Sequence, residues 1–197
     1  IKDDLISGTT ALASEPADTD EFLVSDAGTL KRIDYSLIKG GGITMAQQWR
    51  LTTGFTGNAN PIASNWEIVD TDGYGDIGSD MTQSSGIFTF PSTGIYYIEF
   101  KADVAVDNDV RWFKIQIETT TDNSSYSDAA DGHSHVKHVS SQTYANIKTA
   151  FMFDVTDTST HKVRFSANTD YTSGTQFQGA TAFNTTFVSF IRLGDTW

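Results

Sequence analysis

Two runs of the chain concentrate groups able to hold a metal. The segment VDTDGYGDIGSD brings Asp70, Asp72, Asp76 and Asp80 within eleven residues, a density of hard oxygen donors that suits Ca²⁺. It is not an EF-hand loop, which would need a ligand near Tyr74 and a glutamate near Met81. The expectation is a looser Ca²⁺ site on Asp70, Asp72 and Asp76, set against an acidic, turn-rich connection between short strands. The segment DGHSHVKH places His133, His135 and His138 within six residues, three of the four histidines in the chain. On a strand His133 and His135 share one face, and imidazoles at that spacing ligate zinc, nickel or iron, above all if three copies meet on an axis. Lacking a nearby carboxylate or cysteine partner, the same pair also fits histidines that are simply solvated.

Nothing in the sequence signals catalysis. No G-x-S-x-G elbow, H-E-x-x-H pair or glycine-rich phosphate loop occurs, so the expectation is a protein that is not an enzyme and carries no cofactor beyond the Ca²⁺ candidate. A small glycan hydrolase, which needs two carboxylates flanking a cleft, is the remaining enzymatic alternative. Thirteen basic against twenty-five acidic side chains leave a net charge of -12. Such a surface repels phosphates and anionic lipid headgroups, which argues against nucleic-acid partners and membrane insertion. No run of about 18 apolar residues occurs, and the opening residues IKDDLISG show no apolar segment behind a basic one. The chain starts at Ile1 without an initiator methionine, which leads to the expectation of a fragment or a processed product. The absence of cysteine removes disulfides, thiolate nucleophiles and cysteine-ligated metals.

The elements that must position these groups are strands. No apolar pattern at i, i+3, i+4 and i+7 holds for three turns, whereas short runs with period-two alternation recur between turn residues. We expect one main domain, 43–197, behind a short segment, 1–42, with the glycine run Gly40 to Gly42 as the joint. In the first, EFLVSD and TLKRID flank Asp26-Ala27-Gly28, a hairpin too small to hold its own core. In the second, eight or more strands are expected, near 45–53, 65–70, 86–91, 94–106, 110–121, 134–141, 144–155, 161–168 and 185–194. VRWFKIQIE and HKVRFSA alternate cleanly and need cover on one face only. IYYIEFKADVAV, YANIKTAFMFDV and FVSFIRL carry apolar residues on both faces. A sandwich with one such sheet leaves an apolar patch that calls for self-association, the alternative being that the N-terminal hairpin folds over it.

The residues SGIFTFPSTGIYYIEF resemble the central motif of the trimeric jelly roll shared by complement-type globular heads and the tumour-necrosis-factor family. Gly86, Phe88, Pro91, Gly94, Tyr96 and Ile98 match its pattern. TTFVSFIRL resembles the closing strand of that family, with Ser189 where a glycine is frequent, and AFMFDVTDTSTHKVRF its penultimate hairpin. The upstream DEFLVSDAGTLKRIDYSLIKGGG is similar to a connector of bacteriophage fibre and other virion proteins. The resemblance implies an all-β antiparallel jelly-roll sandwich, a homotrimer and a virion surface appendage that attaches to a host. A capsid or tail decoration protein, or a secreted bacterial adhesion module, are the alternatives it leaves open. It implies that the two-faced strands line a three-fold axis, with Ile95, Tyr97, Tyr144, Met152, Val188 and Phe190 as interface candidates. The implied partners are further copies of the chain, other virion proteins and a host glycan or protein. In such a jelly roll the chain enters and leaves at one end, with PSTG, the 120–134 loop and the 156–160 turn. The opposite end would carry 70–85, the 106–109 turn and the 168–184 loop, where Tyr171, Gln176, Phe177, Gln178 and Phe183 mix aromatics with amides suited to recognition.

Overall fold

The computed structural model describes residues 12–38 and 42–196. By contacts the chain divides into Ile1–Gly42 and Ile43–Trp197, and each unit is described by itself. Residues 39–41, where most of the glycine joint falls, and residues 1–11 of the N-terminal segment lie outside the described residues.

The N-terminal unit contains β1 (Glu21–Asp26) and β2 (Thr29–Asp34), closed by Ala27 and Gly28 at φ 48° and 83°. Two positive torsions in a two-residue loop match the right-handed twist of the paired strands. The pairing runs from Glu21 opposite Asp34 to Asp26 opposite Thr29. Lys31 pairs with Asp26, and Arg32 reaches Glu21 at 2.6 Å. A single 3-10 turn, Tyr35–Leu37, follows, and the rings of Phe22 and Tyr35 approach to 6.0 Å.

The second unit is an antiparallel sandwich. Its strands are β3 (Ala46–Leu51), β4 (Phe55–Thr56), β5 (Trp66–Ile68), β6 (Thr82–Ser84), β7 (Ile87–Thr89), β8 (Gly94–Val106), β9 (Val110–Thr120), β10 (Ser127–Val136), β11 (Thr143–Val155), β12 (Lys162–Thr169), β13 (Gln176–Phe177) and β14 (Phe187–Gly194). One sheet has the order β10-β9-β12-β7-β6. The other centres on β8, flanked on one side by β11 and on the other by β14 and β13, and continues through β3 to β5 and through β13 to β4. Between them lies an aromatic core. Phe88, fully buried, touches Trp49, Trp66, Phe165 and Phe190 at ring distances of 5.4, 5.6, 5.4 and 5.4 Å. It comes from the IFTF run, and the IYYIEF run that follows buries Tyr96, Ile98 and Phe100 against the same cluster.

Two glycines make this hairpin possible. At Gly86 (φ 78°) a Cβ would stand 2.2 Å from the Ile62 carbonyl oxygen, and at Gly94 (φ 146°) 2.7 Å from the Gly194 oxygen, so a side chain has neither torsion nor space at either. The intervening turn is closed by the Tyr96 hydroxyl, which donates to the Ser92 carbonyl at 2.9 Å. Arg192 donates from Nε to the Thr93 carbonyl at 2.8 Å, placing the turn beside the last strand. The near end of the sandwich, where the second unit begins and β14 ends, thus holds the PSTG turn. It also holds the 121–126 and 156–161 turns, joined by Asn123 N–H to Thr160 carbonyl at 2.9 Å.

Three expectations are corrected. The strand expected at 134–141 is Ser127–Val136 instead, and 137–142 is a loop. The inward positions of β10 are Ala130, Gly132, Ser134 and Val136, mostly small because β11 crosses close beneath, with the Ile147 side chain 3.3 Å from a Cβ placed on Gly132. Small residues give no apolar alternation to read. Segment 70–85 does not cap the far end. The extra strand β5 runs back antiparallel to β3, so the segment descends its flank, with Val69 N–H bonded to the Gln48 carbonyl at 3.1 Å and Ile77 bridged to Ala46. The 168–184 stretch is not wholly loop, because β13 pairs with β8 and β4 within it.

Candidate functional site

The outer face of the β8-centred sheet is where the sequence places self-association. Register sets its side chains in rows across β11, β8, β14 and β3. One row is Met152, Tyr97, Ile191 and Ala46; the next is Ala150, Glu99, Ser189 and Gln48; the next is Lys148, Lys101, Phe187 and Arg50. Ile95 sits one row nearer the chain-end turns, opposite Asp154. Ile95, Tyr97 and Ile191 are half-buried, while Met152 remains 63% exposed. The face is thus apolar at the near end and charged in the middle. There Glu99 accepts from the Tyr97 hydroxyl at 3.2 Å and meets Lys148 Nζ at 3.3 Å, while Lys101 pairs with Asp103 at 2.7 Å and stands 5.8 Å from the Phe187 ring centroid. Desolvation, reinforced by the Glu99 carboxylate, pushes the Tyr97 hydroxyl above the usual phenol range.

Val188 and Phe190 are not on this face. Both are fully buried and belong to the core, with Phe190 against Phe88 and Phe165. The outward side of β14 is Phe187, Ser189 and Ile191. A strand that is apolar on both sides carries no period-two signal saying which side faces in; pairing with β3 and β8 decides it. Arg50 was also missed. It shares the outward row with Phe187 yet is wholly buried, donating from Nε to Glu67 at 2.8 Å and from Nη1 to Thr71 at 2.6 Å while pairing with Asp70.

At the far end the recognition candidates separate. Phe177 is corrected: it is fully buried in β13, stacked on Phe55 at 5.1 Å. Gln176 beside it is exposed. Tyr171 is half-buried and lines an open depression of about 630 Å³ with Arg111, His135 and Lys137, where Asp170 and Asp109 neutralise the two long cations. Lys137 and the His138 N–H hold the Asp109 carboxyl below the usual range. On the other side, Gln178 and the 62% exposed Phe183 line a second depression of about 420 Å³ with Asp103, Tyr144, Asn146 and Thr185. Tyr144 is 66% exposed and lies eight residues along β11 from Met152, a span of about 27 Å in an extended strand.

The metal candidates do not converge. Among the described residues no three His, Cys, Asp or Glu side chains are grouped to hold an ion. Asp70 serves Arg50, Asp76 lies 3.4 Å from Gln47 Nε2, Asp80 accepts from the same nitrogen at 2.6 Å, and Asp72 points to solvent. The acidic run is strung along β3 because β3 supplies donors for it, including the Gln48 N–H bonded to the Tyr74 hydroxyl at 2.8 Å. His133 and His135 do share the solvent side of β10, with Asp131 3.8 Å from His133, but β10 is the edge of the other sheet and not on the β8-centred face.

No protein-family model matches the sequence, and no curated protein matches it. Solved structures do. Murine APRIL at pH 5.0 superposes with a TM-score of 0.53 at 11% identity, covering 76% of this chain and 98% of that one. Eiger TNF from S. frugiperda gives 0.58 at 10% identity, covering 79% and 96%. The fold is a tumour-necrosis-factor-like jelly roll. In that frame β3, β14, β8 and β11 form one four-stranded layer and β7, β12, β9 and β10 the other, with β4, β5, β6 and β13 as additions at the margins. At these identities the likeness is one of fold.

Proposed function

We propose that this chain is a non-enzymatic virion appendage protein. Three copies of its tumour-necrosis-factor-like head pack through the near end of the outer face of the β8-centred sheet, and the far end meets a host surface. The observation that carries the reading is the apolar row at the near end of that face. Tyr97, Ile191 and Met152 lie in register with Ile95 one row away, and all four keep exposed surface. The virion assignment rests on the connector-like hairpin β1–β2, whose side chains are exposed at all but one position, and which so suits a segment stabilised by attachment to other virion proteins. Light scattering of the full chain at micromolar concentration tests self-association: three times the chain mass is expected, and a monomer overturns it. Adherence of the full chain to intact cells, lost when residues 171–183 are shortened, tests attachment. Binding to capsids without adherence supports the decoration role instead.

A further inference from the structure

The outer face of the β8-centred sheet changes character along its length, and its far end is unlike the apolar row used for packing. Around the 420 Å³ depression stand Tyr144 from β11 and Phe183 from the loop before β14, at 66% and 62% exposure. Neither ring pairs with another aromatic ring among the described residues. The Tyr144 hydroxyl donates to Gln142 Oε1 at 2.7 Å. Two large exposed rings lining one depression are the kind of apolar surface that marks a binding groove.

The polar groups between the rings are those of a sugar site. Asn146 makes no side-chain hydrogen bond among the described residues, so its amide offers a donor and an acceptor. Asp103 spends one carboxylate oxygen on Lys101 at 2.7 Å, leaving the other to accept. Gln178 is oriented by its own Nε2 bonds to the Gln176 carbonyl at 3.3 Å and Oε1 at 3.0 Å, which leaves its Oε1 free as an acceptor. Thr185 lines the same wall, and its Oγ1 is buried without a hydrogen-bond partner among the described residues. Amide and carboxylate groups side by side match vicinal hydroxyls, and aromatic faces match the C–H face of a pyranose. The one charge lining the cavity, Asp103, is already neutralised by Lys101, so nothing there attracts an anion. The volume is at the small end of ligand cavities, about 300–1,000 Å³, and suits one or two rings.

We infer that this depression binds a neutral saccharide, with Phe183 and Tyr144 as the stacking walls and Asn146 and Asp103 reading hydroxyl groups. The inference rests on the attachment reading and names the chemistry of what is attached to.

The test titrates the full chain with the methyl glycosides of glucose, galactose, mannose and N-acetylglucosamine, and with glucuronate as the acidic control, by calorimetry or protein-observed NMR. At least one neutral glycoside is expected to bind with a Kd in the millimolar range or tighter. Phe183→Ala and Asn146→Ala should each weaken it at least tenfold, while Phe183→Trp retains it and all three variants keep the parent mass and melting temperature. No neutral binding at tens of millimolar, or equal binding of glucuronate, overturns the inference. So does a change of oligomeric mass in Phe183→Ala, which would mark the depression as a contact between copies. Adherence to cells is measured in parallel. Adherence without glycoside binding retires the saccharide site and leaves attachment standing, whereas glycoside binding without adherence supports the site and retires attachment.

Discussion

The two sheets share one core and finish their outer faces in opposite ways. On the β9–β12 side, residues that face outward are nonetheless buried: Gln116 and Glu118 are each 4% exposed, Lys162 8% and Ser166 0%. Neighbours from the same chain cover them. Arg164 pairs with Glu118 and lies 4.2 Å over the Tyr126 ring; Gln116 donates to Asp128 at 2.6 Å and accepts from Asn168 at 2.9 Å; Ser166 donates to Asn60 at 2.9 Å; Lys162 reaches the Thr158 carbonyl at 2.6 Å. On the β8–β14 side Ile95, Tyr97 and Ile191 stay half-buried and Met152 stays 63% exposed. A polar face with matched donors and acceptors can be completed inside one chain, whereas an apolar face gains only when another surface removes it from water. That contrast is why self-association is assigned to one sheet and not the other.

The contrast breaks most sharply within β14. Phe190→Ala should destabilise the head by about 3–5 kcal/mol, since it empties part of the aromatic core, and denaturant unfolding should show it. Its neighbour Ile191→Asp should leave the unfolding of an isolated head nearly unchanged while light scattering falls from three chain masses to one. The reverse pattern would mean the strand faces are exchanged. On the polar side, Arg164→Ala strips Glu118 of its partner in a site only 5% exposed at the side chain. A loss of about 1–3 kcal/mol is expected from leaving the Glu118 carboxylate unpaired, with oligomeric mass unchanged; a change of mass would move the interface to this sheet.

The smallest effect concerns the turn that supports Tyr126. Asp122 accepts from the Ser125 N–H at 2.7 Å, the Thr120 hydroxyl and the Ser124 N–H at 2.8 Å, and these bonds hold its carboxyl far below the usual range. A carboxyl depressed in the folded state stabilises at pH above its unfolded value, near 3.8, and that contribution is lost as pH falls through the folded value. Asp122→Asn should therefore melt below the parent at neutral pH, and the gap should close only in strong acid, below the ordinary carboxylate range. A gap that stays constant with pH would show that the turn does not depend on the charge.

Much of the fold was legible because β-strands write their burial in period two. β8 runs over Gly94–Val106 as the alternation of IYYIEFKADVAV indicates, and the β1–β2 hairpin turns at Ala27 and Gly28 as expected. The site was less so. Short strands such as β4 and β13 have too few residues to show a period, so the sequence alone leaves Phe177 in a loop, whereas pairing with β8 buries it. The aspartates looked like ligands because sequence counts carboxylates, while three-dimensional contacts show Asp70 and Asp80 already used by Arg50 and Gln47.

What the sequence alone determined is the strand content, the tight hairpin at SGIFTFPSTGIYYIEF and the existence of two-faced apolar strands, all of which are local consequences of side-chain period and backbone torsion. Which face of β14 enters the core, where the chain doubles back beside β3, and which aromatics remain in water were decided by tertiary structure. Those choices depend on pairing between residues far apart in the chain, such as Val188 with Trp49 and Phe100. No local pattern carries that information, because both faces of the strand satisfy it equally well.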